Sequence, residues 1–389
     1  MKRNLIFIIV ISLFIILGVL FIRFFHSKLL SKDALDESLV LGTKFLINNQ
    51  KEAGNFNYAY DFTAKKLSNE DSQVRQAGAL WGLSLIHAYN PSEKTERALK
   101  KGFAFFDSTS VLVDSIKRMV NYPGTSSGRT GTQALVGLAY LEFLQTGLDS
   151  SAFLFYKQKF DEYVSFLLSL RSENKRFFST YYYSNKAPLN EYSPYFDGEA
   201  LLLLTKTAHY FKIDSLKPII LESAEAMYNV YVVEAQKVEE DSDITKGFYQ
   251  WGSMAFFEIY QMGWDEKYAQ RTIDLAYWMI DTHKTLMRQK NTAYAHEGLI
   301  TAWKTAELTG NKSAMHKIAF VIDKGLYKLT MWQVGHSLQN RFLISNKIYF
   351  DQMSIGGVMN CKNCPELRID VTQHQMHAVI LARKYIYTE

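Results

Sequence analysis

"FDGEALLLL", residues 196–204, sets two acids, Asp197 and Glu199, directly against a run of leucines. Five other stretches open in the same way: "RQAGALWGL" from Arg75, "TGTQALVGL" from Thr130, "QWGSMAFFE" from Gln250, "YAHEGLITA" from Tyr294 and "TQHQMHAVI" from Thr372. Each has a polar or aromatic start, small residues, then an apolar run. Strict alternation is rare and apolar residues recur at helical spacing, so these are helix starts. Being apolar on most sides, they read as inner helices. Stretches between them, such as "SEKTERALKKGFAFF" and "NKSAMHKIAFVIDKGLYK", are charged and amphipathic, as an outer layer requires.

The links between helices fall into two classes. "AYNPSE", "LQTGLDS", "FKIDS", "MGWDE" and "LTGNKS" are tight turns. In the first, Asn90 is expected to cap, with Pro91 at the first helical position and Glu93 completing a capping box. The other links are long: 50–70, 107–130, 171–196, 233–250, 283–294 and 327–369. Tight turns make antiparallel hairpins, so twelve helices arrange as six hairpins with the long loops gathered at one end. Long loops in a compact domain are usually functional. Repetition of this kind predicts a closed or stacked array of helical hairpins.

The N-terminus is a separate element. After Lys2 and Arg3 comes "LIFIIVISLFIILGVLFI", residues 5–22, without a charge. As a helix it would rise roughly 27 Å, close to the hydrocarbon thickness of a bilayer. No small-residue cleavage pattern follows, so an uncleaved transmembrane anchor is expected, with a cleaved signal peptide as the alternative. The expected division is an anchor and juxtamembrane linker over 1–32 and a helical domain over 33–389. Five bases precede the first acid, Asp33; from there on, 39 bases face 39 acids. The net charge of +5 thus belongs to the membrane end, and a nucleic-acid-binding surface is excluded. The short tail is taken as cytoplasmic and the domain as extracytoplasmic.

Six hairpins with an inner and an outer ring resemble the (α/α)6 toroid of the six-hairpin glycosidase superfamily, an all-α fold. The same architecture is similar to polysaccharide lyases, sugar 2-epimerases and the C-terminal domain of glucuronyl C5-epimerases. Architecture and repeat pattern carry the resemblance, over the chain from Asp33 onward. It implies a funnel-shaped active site at the N-terminal ends of the inner helices, which is the long-loop face here, and a glycan substrate.

Aligning the six starts places Gly78, Gln133, Glu199, Ser253, Glu297 and Gln375 in one column. Glu199 and Glu297 are therefore candidates for the paired carboxylates of glycoside hydrolysis. The alternative is that each is a first-turn acid facing its helix dipole. Asp197, Asp71 and Asp370 are each placed to cap a helix, with Asp370 also a catalytic candidate. Arg75 and Arg368 could clamp a carboxylate or sulfate. Gln373 and His374 follow one turn further in, and His374 suits a general base. Tyr58, Tyr60, Tyr192, Tyr195, Trp251 and Tyr294 are expected to form an aromatic mouth that stacks on sugar rings.

The two cysteines, Cys361 and Cys364, spell C-x2-C-x9-H-x2-H with His374 and His377. That spacing lies outside the usual zinc patterns, and an exported pair is equally suited to a disulfide. No metal or cofactor is assigned, and protein partners are left open. The expected function is a membrane-anchored carbohydrate-active enzyme. Hydrolysis through Glu199 with Glu297 or Asp370 is placed first, and epimerisation or elimination of a uronate second. A non-catalytic glycan-binding or scaffold module of an export system is the alternative, favoured if the acids only cap helices.

Overall fold

The computed structural model describes residues 29–388. Twelve helices carry the body. Six are outer: α1 (Lys32–Asn48), α3 (Glu93–Ser108), α5 (Ser150–Ser169), α7 (Lys217–Tyr228), α9 (Lys267–Tyr277) and α11 (Lys312–Thr330). Six are inner: α2 (Gln73–Tyr89), α4 (Thr130–Leu144), α6 (Pro194–Phe211), α8 (Asp243–Gln261), α10 (Ala293–Leu308) and α12 (Ile369–Tyr385). Each inner helix packs on the next, and α12 packs back on α2, so the inner ring closes. Five outer helices follow their inner partners through the five tight turns. The sixth hairpin has no turn: α1 and α12, from opposite ends of the chain, pack on one another.

Composition explains the two layers. Every residue of α4 is buried, which an amphipathic helix would not tolerate. Outer α3 buries one stripe only, including Leu99, Phe103 and Phe106. Phe103 lies 4.2 Å from the ring of Tyr140 and 5.3 Å from that of Phe143, both on α4. Small residues let the inner helices approach. A Cβ on Gly198 would lie 2.5 Å from Cβ of Trp251, and one on Gly298 2.7 Å from the Tyr249 ring, so only glycine fits.

Two capping expectations are corrected. The cap of α3 is Ser92, not Asn90: Ser92 is extended, and it exchanges a capping box with Thr95 rather than with Glu93. Helix α6 begins at Ser193 with Pro194 in its first turn, which carries Asp197 inside the helix instead of at its cap. Among the described residues eight short strands form three small antiparallel sheets within the long loops. Strand β1 (Ala59–Asp61) pairs with β8 (Glu366–Arg368), setting Ala59 opposite Arg368 just before α12. Strands of two or three residues are too short for alternation to reveal them.

Apolar residues 5–22 lie outside the described residues. Among the described residues no helix is long and apolar enough to cross a membrane. The first described residues and the segment after α12 meet at α11: the N–H groups of Leu29 and Leu30 and the hydroxyl of Tyr387 all donate to the Asp323 carboxylate. On the α1–α12 contact, Arg383 Nε lies 2.5 Å from Asp36 Oδ1. The Arg383 side chain is 9% exposed. Without a covalent turn this contact must hold the ring shut, so Arg383→Met is expected to lower stability by about 1–3 kcal/mol in urea unfolding. Asp161→Asn, which removes an exposed i,i+4 pair with Lys157, should cost less than about 0.5 kcal/mol. Equal effects would show that the closing contact carries no special share.

Candidate active site

A cavity of about 890 Å³ opens on the long-loop face, at the N-terminal ends of the inner helices. That volume is in the range of ligand clefts. Of the candidate residues, Arg75, Tyr195, Glu199, Trp251, Tyr294, Arg368, Asp370, Gln373 and His374 line it. Five inner helices and the turn before α12 supply them, so closure of the ring is what brings them together.

Glu297 does not line the wall. It is fully buried behind His374, whose Nδ1 lies 2.8 Å from its Oε1. Its Oε2 accepts from Gln250 Nε2 at 2.9 Å and lies 3.4 Å from His377 Nδ1. Burial by itself would raise the Glu297 carboxyl, but the two imidazoles override it and hold the group below the ordinary carboxylate value. Conversely, burial lowers His374, while the Glu297 charge and hydrogen bond, with Asp370 adding, raise it above the usual imidazole value. The carboxylate fixes the Nδ1–H tautomer, which leaves Nε2 for a bound molecule.

Glu199 is placed oppositely. It lines the cavity, is 3% exposed, and its Oε2 has no hydrogen-bond partner. Burial pushes its pKa well above the ordinary value, which favours the protonated, uncharged form of the group. Gly131 on α4 makes the room: a Cβ there would lie 2.2 Å from Oε2. The first-turn dipole alternative fails for both glutamates, because neither faces solvent at a helix start.

Asp370 is not a cap either. Arg368 holds it in two bonds, Nε to Oδ1 at 3.0 Å and Nη2 to Oδ2 at 2.6 Å, and Arg75 Nε reaches Oδ2 at 3.2 Å. Burial would raise this carboxyl, but both guanidiniums bring it below the usual range. Asp71 is not the cap either: Ser72 holds that position, and Asp71 accepts from the Tyr122 hydroxyl and the Gln76 side-chain amide. Asp197, fully buried, accepts from Phe177 N–H at 2.6 Å and from the Tyr231 hydroxyl. Burial lifts its pKa to about 7, and its role is to brace a loop.

Three expected aromatics lie outside the cavity wall. Tyr58 packs behind the Arg75 guanidinium, 5.4 Å away. Tyr60 donates to Asp351 at 2.6 Å. Tyr192 stacks on Phe178 and carries Arg176 on its face. These rings fasten loops together; Tyr195, Phe196, Trp251 and Tyr294 form the aromatic wall. Sequence reasoning missed Gln250 and the rim residues Lys246, Arg288 and Lys290. Their one sequence signal was position, in or beside a long loop. Cys361 and Cys364 are bonded to each other, and both histidines of the C-x2-C-x9-H-x2-H pattern turn to Glu297, so the zinc arrangement does not form.

Beneath the cavity, Trp81 lies 5.6 Å from Trp251 and 4.8 Å from His377. Trp81 and His377 face a second, smaller cavity at the opposite end of the ring. The aromatic floor therefore separates the two mouths.

No family pattern matches this chain, and no curated protein matches it. Solved structures do. A D-mannose isomerase superposes with a TM-score of 0.65 at 10% identity, covering 92% of this chain and 99% of the other. An unsaturated glucuronyl hydrolase specific for heparin gives 0.61 at 10% identity, with 91% and 98% covered. Cellobiose 2-epimerase from Bacillus thermoamylovorans B4167 gives 0.60 at 11% identity, with 90% and 98% covered. At such identities the likeness is one of fold, and the fold of this chain is the six-hairpin (α/α)6 toroid that these enzymes share.

Proposed function

We propose that the chain is a carbohydrate-active enzyme that moves protons on a sugar held in the large cavity, by epimerisation or isomerisation. The carrying observation is the buried Glu297 carboxylate that orients His374 from behind while the imidazole stands in the wall. This is the arrangement of an acid/base histidine with its orienting carboxylate. His374 Nε2 takes the proton from the carbon beside a sugar carbonyl, and the C–H electron pair becomes the double bond of an enediol. Neutral Glu199 gives its proton to the carbonyl oxygen and recovers it when the carbonyl re-forms. Return of a proton to carbon completes an epimer or an isomer with no net oxidation. Likeness of fold to a D-mannose isomerase and a cellobiose 2-epimerase accords with the reading, and the equal likeness to a glucuronyl hydrolase leaves the choice to the His374–Glu297 arrangement.

Hydrolysis through Glu199 and Glu297 as facing carboxylates, the first sequence expectation, is set aside: Glu297 reaches a substrate only through His374. A second route to hydrolysis remains open, with Glu199 as acid and Asp370 as base, since their environments push the two carboxyls apart. Against it, both oxygens of Asp370 are already held by Arg368 and Arg75. A purely glycan-binding module is disfavoured because the cavity acids do not cap helices. The apolar residues 5–22 are proposed to hold this domain at a membrane, on its outer side.

Proton transfer is tested by incubating the protein with reducing sugars in D2O and following them by NMR. Deuterium at the carbon next to the carbonyl, with a new epimer or ketose, is the expected result. New reducing ends without deuterium would replace this mechanism by hydrolysis.

A further inference from the structure

Charge at the cavity mouth is not used by proton transfer. Five cations line the wall: Arg75 and Arg368 beside Asp370, and Lys246, Arg288 and Lys290 at the rim. The lining carboxyls are Asp370, occupied by Arg368 and Arg75, and Glu199, whose pKa burial raises. Behind the rim, Asp241 holds Arg288 and the His283 ring. Asp243, 88% exposed, reaches Lys246 at 2.9 Å. Lys290 makes no side-chain hydrogen bond or ion pair among the described residues. Glu297 stands behind His374, and Glu366 and Glu70 lie near Arg368, so the excess belongs to the cavity surface itself, where five cations face two carboxyls. A neutral sugar needs no such excess, and a cleft lined by one sign of charge concentrates the opposite sign.

The rim cations are also held in place. Lys290 forms an isolated β-bridge with Cys361, the first residue of the disulfide loop. Asn291 N–H donates to Asn360 O at 2.8 Å, and Asn291 Oδ1 accepts from Ala293 N–H, tying the segment to the start of α10. Lys328 Nζ donates to the carbonyls of Leu286 and Arg288, both at 3.2 Å. A segment fixed at three points presents its ammonium with little ordering left to do on binding.

We infer that the sugar taken by this cavity is anionic, a uronate or a sulfated residue, with its charged group on Lys290 and Arg288 at the rim. Asp370 engages Arg75 and Arg368, Asp241 engages Arg288 and Asp243 engages Lys246, so Lys290, beside Arg288, is the rim cation on which an added anion finds a charge without an ionic partner among the described residues. This rests on the carbohydrate reading above and assigns its substrate class.

Calorimetric binding to the full-length protein tests it, with three tetrasaccharide probes: neutral cellotetraose, an unsulfated hyaluronan tetrasaccharide and a chondroitin sulfate tetrasaccharide. Either acidic probe should bind at least about tenfold tighter than the neutral one at low salt, with the advantage shrinking as salt rises. Tighter binding of the unsulfated acid identifies carboxylate as the recognised group, and of the sulfated one, sulfate. In Lys290→Gln/Arg288→Gln the advantage should fall about tenfold while cellotetraose binding is unchanged. Equal binding of acidic and neutral probes, or an advantage untouched by the double substitution, overturns the inference and leaves the carbohydrate reading standing. Binding of none of the three removes the carbohydrate reading and this inference with it.

Discussion

Glu297→Gln is expected to lower kcat by about 10²–10⁴ while the protein stays folded. The substitution keeps the shape of a fully buried side chain and removes the charge that fixes the Nδ1–H of His374. Gln250 already donates to this site at 2.9 Å, so an amide at 297 cannot offer acceptors to both neighbours as the carboxylate does. The imidazole is then free to take the other tautomer and turn N–H, instead of a lone pair, toward the cavity. The pH profile separates this role from plain packing. Burial lowers the His374 pKa and Glu297 raises it, so removing the carboxylate must bring it down. The acid limb of kcat/KM, where the base is still protonated, should therefore move to lower pH. An NMR titration of His374 should show the same displacement. A variant with unchanged kcat and an unmoved limb would remove Glu297 from the mechanism.

Glu199→Gln is expected to slow the reaction by about 10²–10³ and to stabilise the protein at neutral and alkaline pH. Both effects come from the same buried carboxyl. Its folded pKa is raised above the ordinary 4.5 by burial. Between those two values the folded chain keeps a proton that the unfolded chain has released. Stability contributed by this group is thus fully present below about pH 4.5 and falls as pH rises toward the folded value. The slope is at most about 1.4 kcal/mol per pH unit. Glutamine cannot ionise, so the variant should match the parent in acid and exceed it above. Urea midpoints of the two proteins from pH 4 to 8 give the comparison directly. Parallel stability curves would mean that Glu199 is ionised in the folded state and cannot serve as the acid. Loss of rate with gain of stability is the usual mark of a site held in place at a cost to the fold.

Much of the architecture was legible because helical order is local. The starts at Arg75, Thr130, Phe196, Gln250, Tyr294 and Thr372 lie at or within a few residues of the observed inner-helix starts, save Gln250, which lies seven residues inside α8. Tight and long links alternate as read, and the long links do build the face that holds the cavity. The five tight turns account for five of the six hairpins expected. Only the fold shows that α1 and α12 supply the sixth, since a contact between residues 36 and 383 leaves no mark in either neighbourhood.

The site divides along the same line. Sequence alone put Arg75, Glu199, Asp370 and His374 near inner-helix starts, and hence at the cavity end, because rise per residue sets depth along a helix; Trp251 reaches the cavity from eight residues inside α8. Sequence could not decide direction around each helix. Gln133 and Glu199 share one column, yet Gln133 turns outward to Arg118, Val120 and Tyr163 while Glu199 stands in the wall. Glu297, at the same depth, is covered by His374. Which carboxyl faces the cavity depends on contacts such as Glu297 with His374 and with Gln250, 77 and 47 residues apart. Those are fixed by how neighbouring helices rotate against each other as the ring closes, and by the burial that closure imposes. Burial raises the Glu199 pKa, while the two imidazoles bring that of Glu297 below the ordinary value; residue type and spacing are the same for both.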